Sequence, residues 1–501
     1  MSKTFRAWMI DQPQLLPPTV GDFVGPGHLA RFVLNLVTDE LDLIKITGTY
    51  GAAKGQPPFH PVMMVALLLY AYCSGIYSSR RIAKACRERV DFMSIVALDP
   101  PDFRTISDFR KRHLAALSAV FVQVLKLCET AGLVKLGHVA LDGSKIKANA
   151  SKHKTMSYER MEKRAAELDA EVANWLAAAA AADATEDNKH GATKTGATKT
   201  GDEMPDWVAD KKKRAEKIRT AKAELEAEAK AAAAAAKAKT EAEADEQRKA
   251  AGRKKPGPPA APPSSEPAAK AQKNFTDPES RIMKSKDGFI QGYNAQAAVD
   301  AEAQVIVAQD VTQCPVDQGQ LVPLTDMIEA NLGRKPAQLS ADAGYCSDAN
   351  LAALETRGID GTIATGRAKH AAGPAATQHA AVADVMTADD GAGSPATSAA
   401  DAAAPGIPEP NIATPTRVEA MREKIKAGGF ASPYRLRKQL PEPVFGQIKQ
   451  ARGFRQFLLR GIEKVAAEWS LVCTAHNLLK LAHGRTPSAD RPMVTGAPVA
   501  A

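Results

Sequence analysis

The sequence has little that would mark a secreted, membrane-spanning or disulfide-stabilised protein. Its six cysteines lie far apart and include no CxxC pair, which disfavours a disulfide framework and a structural zinc site. The first residues contain no apolar core long enough for a signal peptide. The longest apolar run, residues 62–73, is too short to span a bilayer. We therefore expect a soluble, cytoplasmic protein with reduced thiols.

Aromatic residues are also scarce, at 5% of the chain, and much of the 45% hydrophobic fraction is alanine. A chain of 501 residues is long enough for two or more domains, but this composition predicts that not all of it is packed core. The net charge is +9 and the pI is near 9.1. Such a balance favours a polyanionic partner, nucleic acid first among them.

Two stretches share a pattern in which a short apolar run leads into an acid. Residues 139–141 precede Asp142 and Gly143, and residues 339–341 precede Asp342. The pattern predicts buried strands that each deliver a carboxylate to the end of a sheet. The alternative for the first stretch is a strand that runs into an ordinary Asp-Gly turn.

A third acid, Glu442, lies between Pro441 and Pro443. Three carboxylates without histidine or cysteine suit a hard cation, Mg²⁺ or Mn²⁺, and two such ions can clamp a phosphodiester. In this hypothesis Asp142 bridges both ions, while Asp342 and Glu442 each hold one. The alternative for Glu442 is an ordinary acid in the first turn of a helix.

Basic side chains accompany these acids, as a phosphate-bearing substrate would require. Those near Glu442 are Arg435, Arg437, Lys438 and Lys449. A second set, on two short helices of the N-terminal region, resembles a DNA-reading helix pair and comprises Arg80, Arg81, Arg110, Lys111 and Arg112. For the second set, a solvated charged face is an equally good interpretation.

The order of predicted elements after residue 133 is strand, hairpin, helix, strand, helix, strand, helix. The hairpin, residues 289–299 and 304–312, supplies antiparallel strands, and the helical crossovers imply parallel ones. We therefore predict an α/β fold with a mixed sheet flanked by helices. Residues 1–132 read as helical, with a long last helix that Thr105 or Ser107 caps and that ends near Gly132.

Several motifs, taken in order, resemble one protein family. They are PDFRTISDFRKRH, LDGSKIKANAS, GYNAQAAVD, ADAGYCS, YRLRKQLPEPVFGQIKQARGFRQFLLRG and EWSLVCTAHNLLKL. The chain resembles a DDE transposase of bacterial insertion sequences, with an InsH-like N-terminal domain and a ribonuclease-H-like catalytic core. The family's Tyr-Arg-Glu-Lys signature maps onto Tyr434, Arg437 or Lys438, Glu442 and Lys449.

The resemblance and the changes in composition together divide the chain. The expected parts are a helical DNA-binding domain at 1–132, a catalytic domain at 133–150, 275–367 and 416–484, an inserted Ala/Lys/Glu-rich helical arm with its linker at 151–274, a low-complexity disordered insertion at 368–415, and a disordered tail at 485–501.

The resemblance implies binding to terminal inverted repeats, metal-dependent cleavage at the element ends, and strand transfer into target DNA by the freed 3′-hydroxyl. It also implies a homodimer or larger assembly that pairs two ends, associated with the nucleoid when bound to DNA. Two alternatives remain open at this stage. They are a decayed transposase that only binds DNA, and a site-specific nuclease that cuts without joining.

Overall fold

The computed structural model describes most of the chain. The described residues are 19–51, 57–190, 206–251, 265–285, 288–366, 416–429 and 432–485. The predicted low-complexity insertion and all but the first residue of the predicted tail lie outside them. No single helix in these ranges is long and apolar enough to cross a membrane, although one bent pair of helices, residues 103–112 and 114–130, meets both criteria together.

The N-terminal region is helical, as predicted. Its helices are α1 Leu29–Asp39, α2 Ile44–Thr47, α3 Pro61–Cys73, α4 Ser79–Glu88, α5 Val90–Ile95, α6 Phe103–Arg112 and α7 Leu114–Thr130. Helix α3 is apolar around its whole circumference and is buried from Met64 to Cys73, because other helices surround it. Pro61 occupies its first turn, where a missing N–H costs nothing.

The prediction of one long helix from Thr105 or Ser107 was wrong. Helices α6 and α7 meet at His113 with a bend of 75°. Asp102 caps α6 by accepting a hydrogen bond of 2.8 Å from the backbone N–H of Arg104. The buried ring of His113 lies 3.0 Å from the Tyr50 hydroxyl, so the break is tied into the core.

A mixed sheet forms the second part, as predicted. Its strands are β1 His138–Lys147, β4 Arg281–Ser285, β5 Gly288–Asp300, β6 Ile306–Thr312, β7 Gln338–Ala341 and β8 Asp360–Ile363. The order is β4-β5-β1-β7-β8, and β6 pairs with the later half of β5. Strands β1, β7 and β8 are parallel, and β5 is antiparallel to β1.

The prediction that the first strand ends at Asp142 was wrong for the side of β1 that faces β5. Strand β5 pairs with β1 from Val139 to Lys147, which keeps the chain extended past Asp142. On the other side, pairing with β7 ends at Ala140 opposite Ser340. Asp142 therefore lies in the middle of a strand but just beyond the last residue that β7 covers.

The predicted hairpin is present as β5 and β6, with a bulge at Ala298 and Val299. Three short strands were not predicted. One is β4 at the edge of the sheet, and the other two, β2 Thr155–Ser157 and β3 Gln272–Asn274, form a separate two-stranded ribbon.

The inserted arm is a pair of helices, α8 Tyr158–His190 and α9 Asp206–Ala251. They run antiparallel. Lys211, near the start of α9, pairs with Glu171 of α8, and Lys222, farther along α9, pairs with Glu162, near the start of α8. Ribbon β2–β3 closes the base of the arm. The described residues of the predicted inserted arm thus form two helices.

The remaining helices cover the sheet. They are α10 Leu321–Leu332, α11 Asp348–Thr356, α12 Arg417–Gly428, α13 Leu436–Gln439, α14 Pro441–Gly446, a π-helical turn Gln447–Ala451 and α15 Ile462–Arg485. Helix α15 packs against α3, α7 and β6, so one hydrophobic core joins the N-terminal helices to the sheet. Its Trp469 is fully buried and donates a 3.0 Å hydrogen bond to the Gln296 carbonyl of β5.

Candidate catalytic centre

Asp142 and Asp342 lie on neighbouring parallel strands, just beyond the carboxyl end of the region in which the two strands pair. This end of the β1–β7 pair is called the catalytic edge of the sheet. The last paired residues are Ala140 of β1 and Ser340 of β7, and each aspartate follows two positions later. Because parallel strands advance in the same direction about 4.8 Å apart, the two carboxylates project from adjacent positions. Two of the three predicted acids are therefore brought together.

The electrostatics of Asp142 reflect this proximity. The pKa of its carboxyl is raised to about 6, mainly by burial and also by the charges of Asp342 and Asp317, against a hydrogen bond from Gly143 and the charge of Arg437. The backbone N–H of Gly143 lies 2.8 Å from Asp142 Oδ1. A buried carboxyl near other acids is stabilised as an anion when a cation joins it.

Asp342 begins a short 3₁₀ turn, Ala343–Tyr345, and accepts a 2.8 Å hydrogen bond from the backbone N–H of Gly344. Tyr345, at the end of the turn, is fully buried and donates its hydroxyl hydrogen to the side-chain oxygen of Gln296. Burial raises the pKa of Tyr345, and the charges of Asp317, Asp142 and Asp342 add to the effect. The phenol therefore stays a neutral donor beside the acids.

Asp317 is a further acid at this edge that the sequence analysis missed. Its carboxylate accepts hydrogen bonds from Lys145 Nζ at 3.1 Å, Asn294 Nδ2 at 2.6 Å and Gln296 Nε2 at 2.7 Å. Nothing in the loop around Asp317 marked it. Asn294 and Gln296 did give a signal, because two amides at alternate positions of a buried strand need partners.

The glycines that follow both aspartates leave room for Asp317. A Cβ at Gly143 would lie 2.6 Å from Asp317 Oδ1 and 2.4 Å from Gln296 Nε2. A Cβ at Gly344 would lie 3.4 Å from Asp317 Oδ2 and 2.9 Å from Asp342 Oδ1. The Asp-Gly sequence at Asp142 therefore serves close packing within a strand, since Gly143 is paired with β5.

Glu442 stands in the first turn of α14, which packs against β1 and β5, and its side chain is exposed. Among the residues that the structure describes, no three acidic, histidine or cysteine side chains lie close enough to hold one metal ion. The joining of Glu442 to Asp142 and Asp342 thus stays a prediction.

The basic residues that precede Glu442 divide into two groups. Arg437 is half-buried, lies with its guanidinium 5.5 Å from the Tyr434 ring centroid, and approaches Asp142 closely enough to lower its pKa. Arg435 and Lys438 are exposed. Of the two candidates for the arginine of the signature, Arg437 and Lys438, it is therefore Arg437 whose charge acts on Asp142.

Lys449 contacts the first strand directly. Its ammonium donates hydrogen bonds to the Ser144 hydroxyl and, at 3.3 Å, to the Lys145 carbonyl oxygen. The same ammonium lies 6.0 Å from the Phe445 ring centroid. These contacts fix the helical turn that follows Glu442 against β1.

In the N-terminal helices, four of the five predicted DNA contacts are exposed: Arg80, Arg81, Lys111 and Arg112. The prediction for Arg110 was wrong. Its side chain is buried and donates hydrogen bonds of 3.1 Å to the Tyr72 hydroxyl and the Tyr77 carbonyl. A guanidinium used inside the core cannot reach a DNA phosphate.

Two protein-family models match the chain. Residues 18–112 match a transposase domain (DUF772), and residues 411–482 match a transposase DDE domain. The second match contains Glu442 and Lys449, whereas the strands that carry Asp142 and Asp342 lie between the two matches. No curated protein and no solved structure matches the chain.

Proposed function

We propose how this chain, a DDE transposase of the insertion-sequence type, acts on DNA. Asp142 and Asp342, together with Glu442, support hydrolysis of a phosphodiester at each element end and then attack of the freed 3′-hydroxyl on a phosphodiester of target DNA, whose own 3′-oxygen leaves. The observation that carries the proposal is the parallel pairing of β1 and β7, which places two acids side by side at one edge of the sheet.

The donor chemistry of this edge fits a divalent cation. Asp142 is largely buried, its pKa is raised by that burial and by Asp342, and no lysine or arginine hydrogen bond to its carboxylate is present among the described residues. Oxygen donors of this kind suit Mg²⁺ or Mn²⁺, and Asp142, Asp342 and Glu442 would hold two ions. When bound, the ions polarise the phosphodiester and lower the pKa of the attacking water or hydroxyl.

The residues around the acids have separate tasks in this proposal. Arg437 and the exposed Arg435 and Lys438 bind the phosphates that flank the scissile bond. Lys449 holds the segment of Glu442 against β1 through Ser144 and the Lys145 carbonyl, and the Tyr434 ring supports Arg437.

Asp317 positions other groups in this proposal. Its hydrogen bonds to Lys145, Asn294 and Gln296 span β1 and β5, which fixes both strands beside Asp142.

The exposed Arg80, Arg81, Lys111 and Arg112 bind the double-stranded DNA of the inverted repeats away from the reacting bond. Two copies of the chain pair the two element ends, as a homodimer or a larger assembly on the nucleoid.

One assay tests the function. Purified protein, Mg²⁺, labelled element ends and a target plasmid are incubated together, and the products are separated by size. We expect cut ends and products joined to the plasmid. Cutting without joining would instead identify a nuclease, and binding without cutting would identify a decayed transposase.

A further inference from the structure

A second basic site lies away from the catalytic edge, where the arm meets the sheet. It is a cleft of about 260 Å³. No acidic side chain lines it, and its exposed rim is formed by His153, Lys154, Arg214 and Lys217. Its floor is apolar and includes Ile218 and Phe275.

The charges of α9 are arranged so that this cleft stays cationic. On the side that faces α8, cations are neutralised, as where Lys222 Nζ lies 2.8 Å from Glu162. Arg214 and Lys217, three residues apart and therefore neighbours on a helix, form no ion pair with any acid of the described ranges. Their charge is available to an external anion.

The cleft is firmly attached to the catalytic sheet. The Lys154 carbonyl accepts a 3.0 Å hydrogen bond from the Phe275 N–H, and the Thr155 hydroxyl donates one of 3.3 Å to Gln291 of β5. Lys154 follows Asp142 by twelve residues, so their Cα atoms are at most about 43 Å apart.

We propose that this cleft binds the phosphate backbone of the duplex whose end is processed at Asp142. The proposal rests on the proposed function only in that DNA is the polyanion. Lysine and arginine side chains on an exposed rim contact phosphates without reading the base sequence. The contact extends the bound DNA away from the cleaved end and makes the arm part of the DNA-binding surface.

The test compares two double variants of α9. Arg214→Gln/Lys217→Gln removes two cleft cations, and Lys212→Gln/Lys230→Gln removes two exposed cations of the same helix that do not line the cleft. Equilibrium binding of a labelled element-end duplex is measured between 50 and 200 mM salt. Each phosphate contact contributes about 0.9 to the slope of log affinity against log salt. Between 50 and 200 mM salt, the factor by which affinity falls should therefore be roughly tenfold smaller for the cleft variant than for the wild type.

The control variant should retain the wild-type slope, and Lys154→Gln should lower the slope by about one unit. Thermal melting confirms that each variant is folded. Equal slopes in wild type and the cleft variant would overturn the proposal, even if the wild type cuts and joins DNA. A lowered slope in the cleft variant, beside a wild type that neither cuts nor joins, would support the cleft and overturn the proposed function instead.

Discussion

The ammonium of Lys449 lies 3.3 Å from the backbone carbonyl oxygen of Lys145 and also donates to the Ser144 hydroxyl. These contacts join the C-terminal helices to the strand that carries Asp142. Glu442 precedes Lys449 by seven residues in one helical segment, about two turns. The lysine of the signature is therefore a structural link between two parts of the proposed centre.

Lys449→Met should reduce end cleavage more than DNA binding. The substitution leaves the Lys145 carbonyl without this donor and frees the segment of Glu442, at a cost of about 1 kcal/mol in unfolding free energy. Urea unfolding and a cleavage time course check both effects. Lys464→Met, at an exposed lysine of α15, is the control. Equal cleavage by the two variants would remove Lys449 from the centre.

Gly143→Ala should destabilise the centre. The added Cβ would lie 2.4 Å from Gln296 Nε2 and 2.6 Å from Asp317 Oδ1, which forces both side chains to move and costs about 1–3 kcal/mol. Gly137→Ala is the matched control, because nothing lies within 4 Å of its added Cβ. Urea unfolding of both variants decides the question, and a Gly143 variant as stable as the control would contradict the close approach.

Asp317→Asn should shift the pH dependence of cleavage. Burial and the charges of Asp342 and Asp317 raise the pKa of Asp142 to about 6, so activity should fall as the pH drops below about 6 and protons compete with the cation. Removing the Asp317 charge lowers the pKa of Asp142, and the acid limb of the pH–rate profile should move to lower pH. An exposed control is Asp326→Asn. An unmoved acid limb in the Asp317 variant would contradict the coupling.

Strand patterns predicted β1, β5, β6 and β7 because short apolar runs and turn residues are local signals. The mixed sheet followed from the order of these elements. Where the sequence analysis failed, the cause lay in distant partners. The strand continues past Asp142 only because β5 pairs with it as far as Lys147, and the helix breaks at His113, whose ring meets the distant Tyr50.

The same distinction applies to the site. Asp142 and Asp342 could be chosen from sequence because each follows a short apolar run. Asp317 could not, since its partners Lys145 and Asn294 are 172 and 23 residues away. Arg110 was misassigned because a basic residue on a basic helix gives no local sign of burial.

Glu468 should make the stability of the fold depend on pH. It is fully buried on α15, where burial raises its pKa to about 7, against hydrogen bonds from the backbone of Leu459 and Leu458 and the charge of Arg110. Glu468 therefore holds its proton more tightly in the folded state than in the unfolded state, in which its pKa is 4.5. Stability should fall as the pH rises from about 4.5 to about 7, by an amount on the order of 3 kcal/mol.

Urea unfolding at pH 5 and pH 8 measures this effect. Glu468→Gln should lose most of the difference between the two pH values, whereas Glu463→Gln, at an exposed position of the same helix, should keep the wild-type difference. The same pH dependence in both variants would mean that Glu468 is ionised in the folded protein at pH 5.

The most direct test of the catalytic centre compares cleavage and binding in variants of the three acids. Asp142→Asn, Asp342→Asn and Glu442→Gln remove one negative charge each and keep nearly the same shape. With labelled element ends and Mg²⁺, each purified variant should bind DNA within a few-fold of wild type and cleave it at least about 100-fold more slowly. Wild-type cleavage by the Asp142 or Asp342 variant would contradict the account, and wild-type cleavage by the Glu442 variant alone would remove the third acid from it.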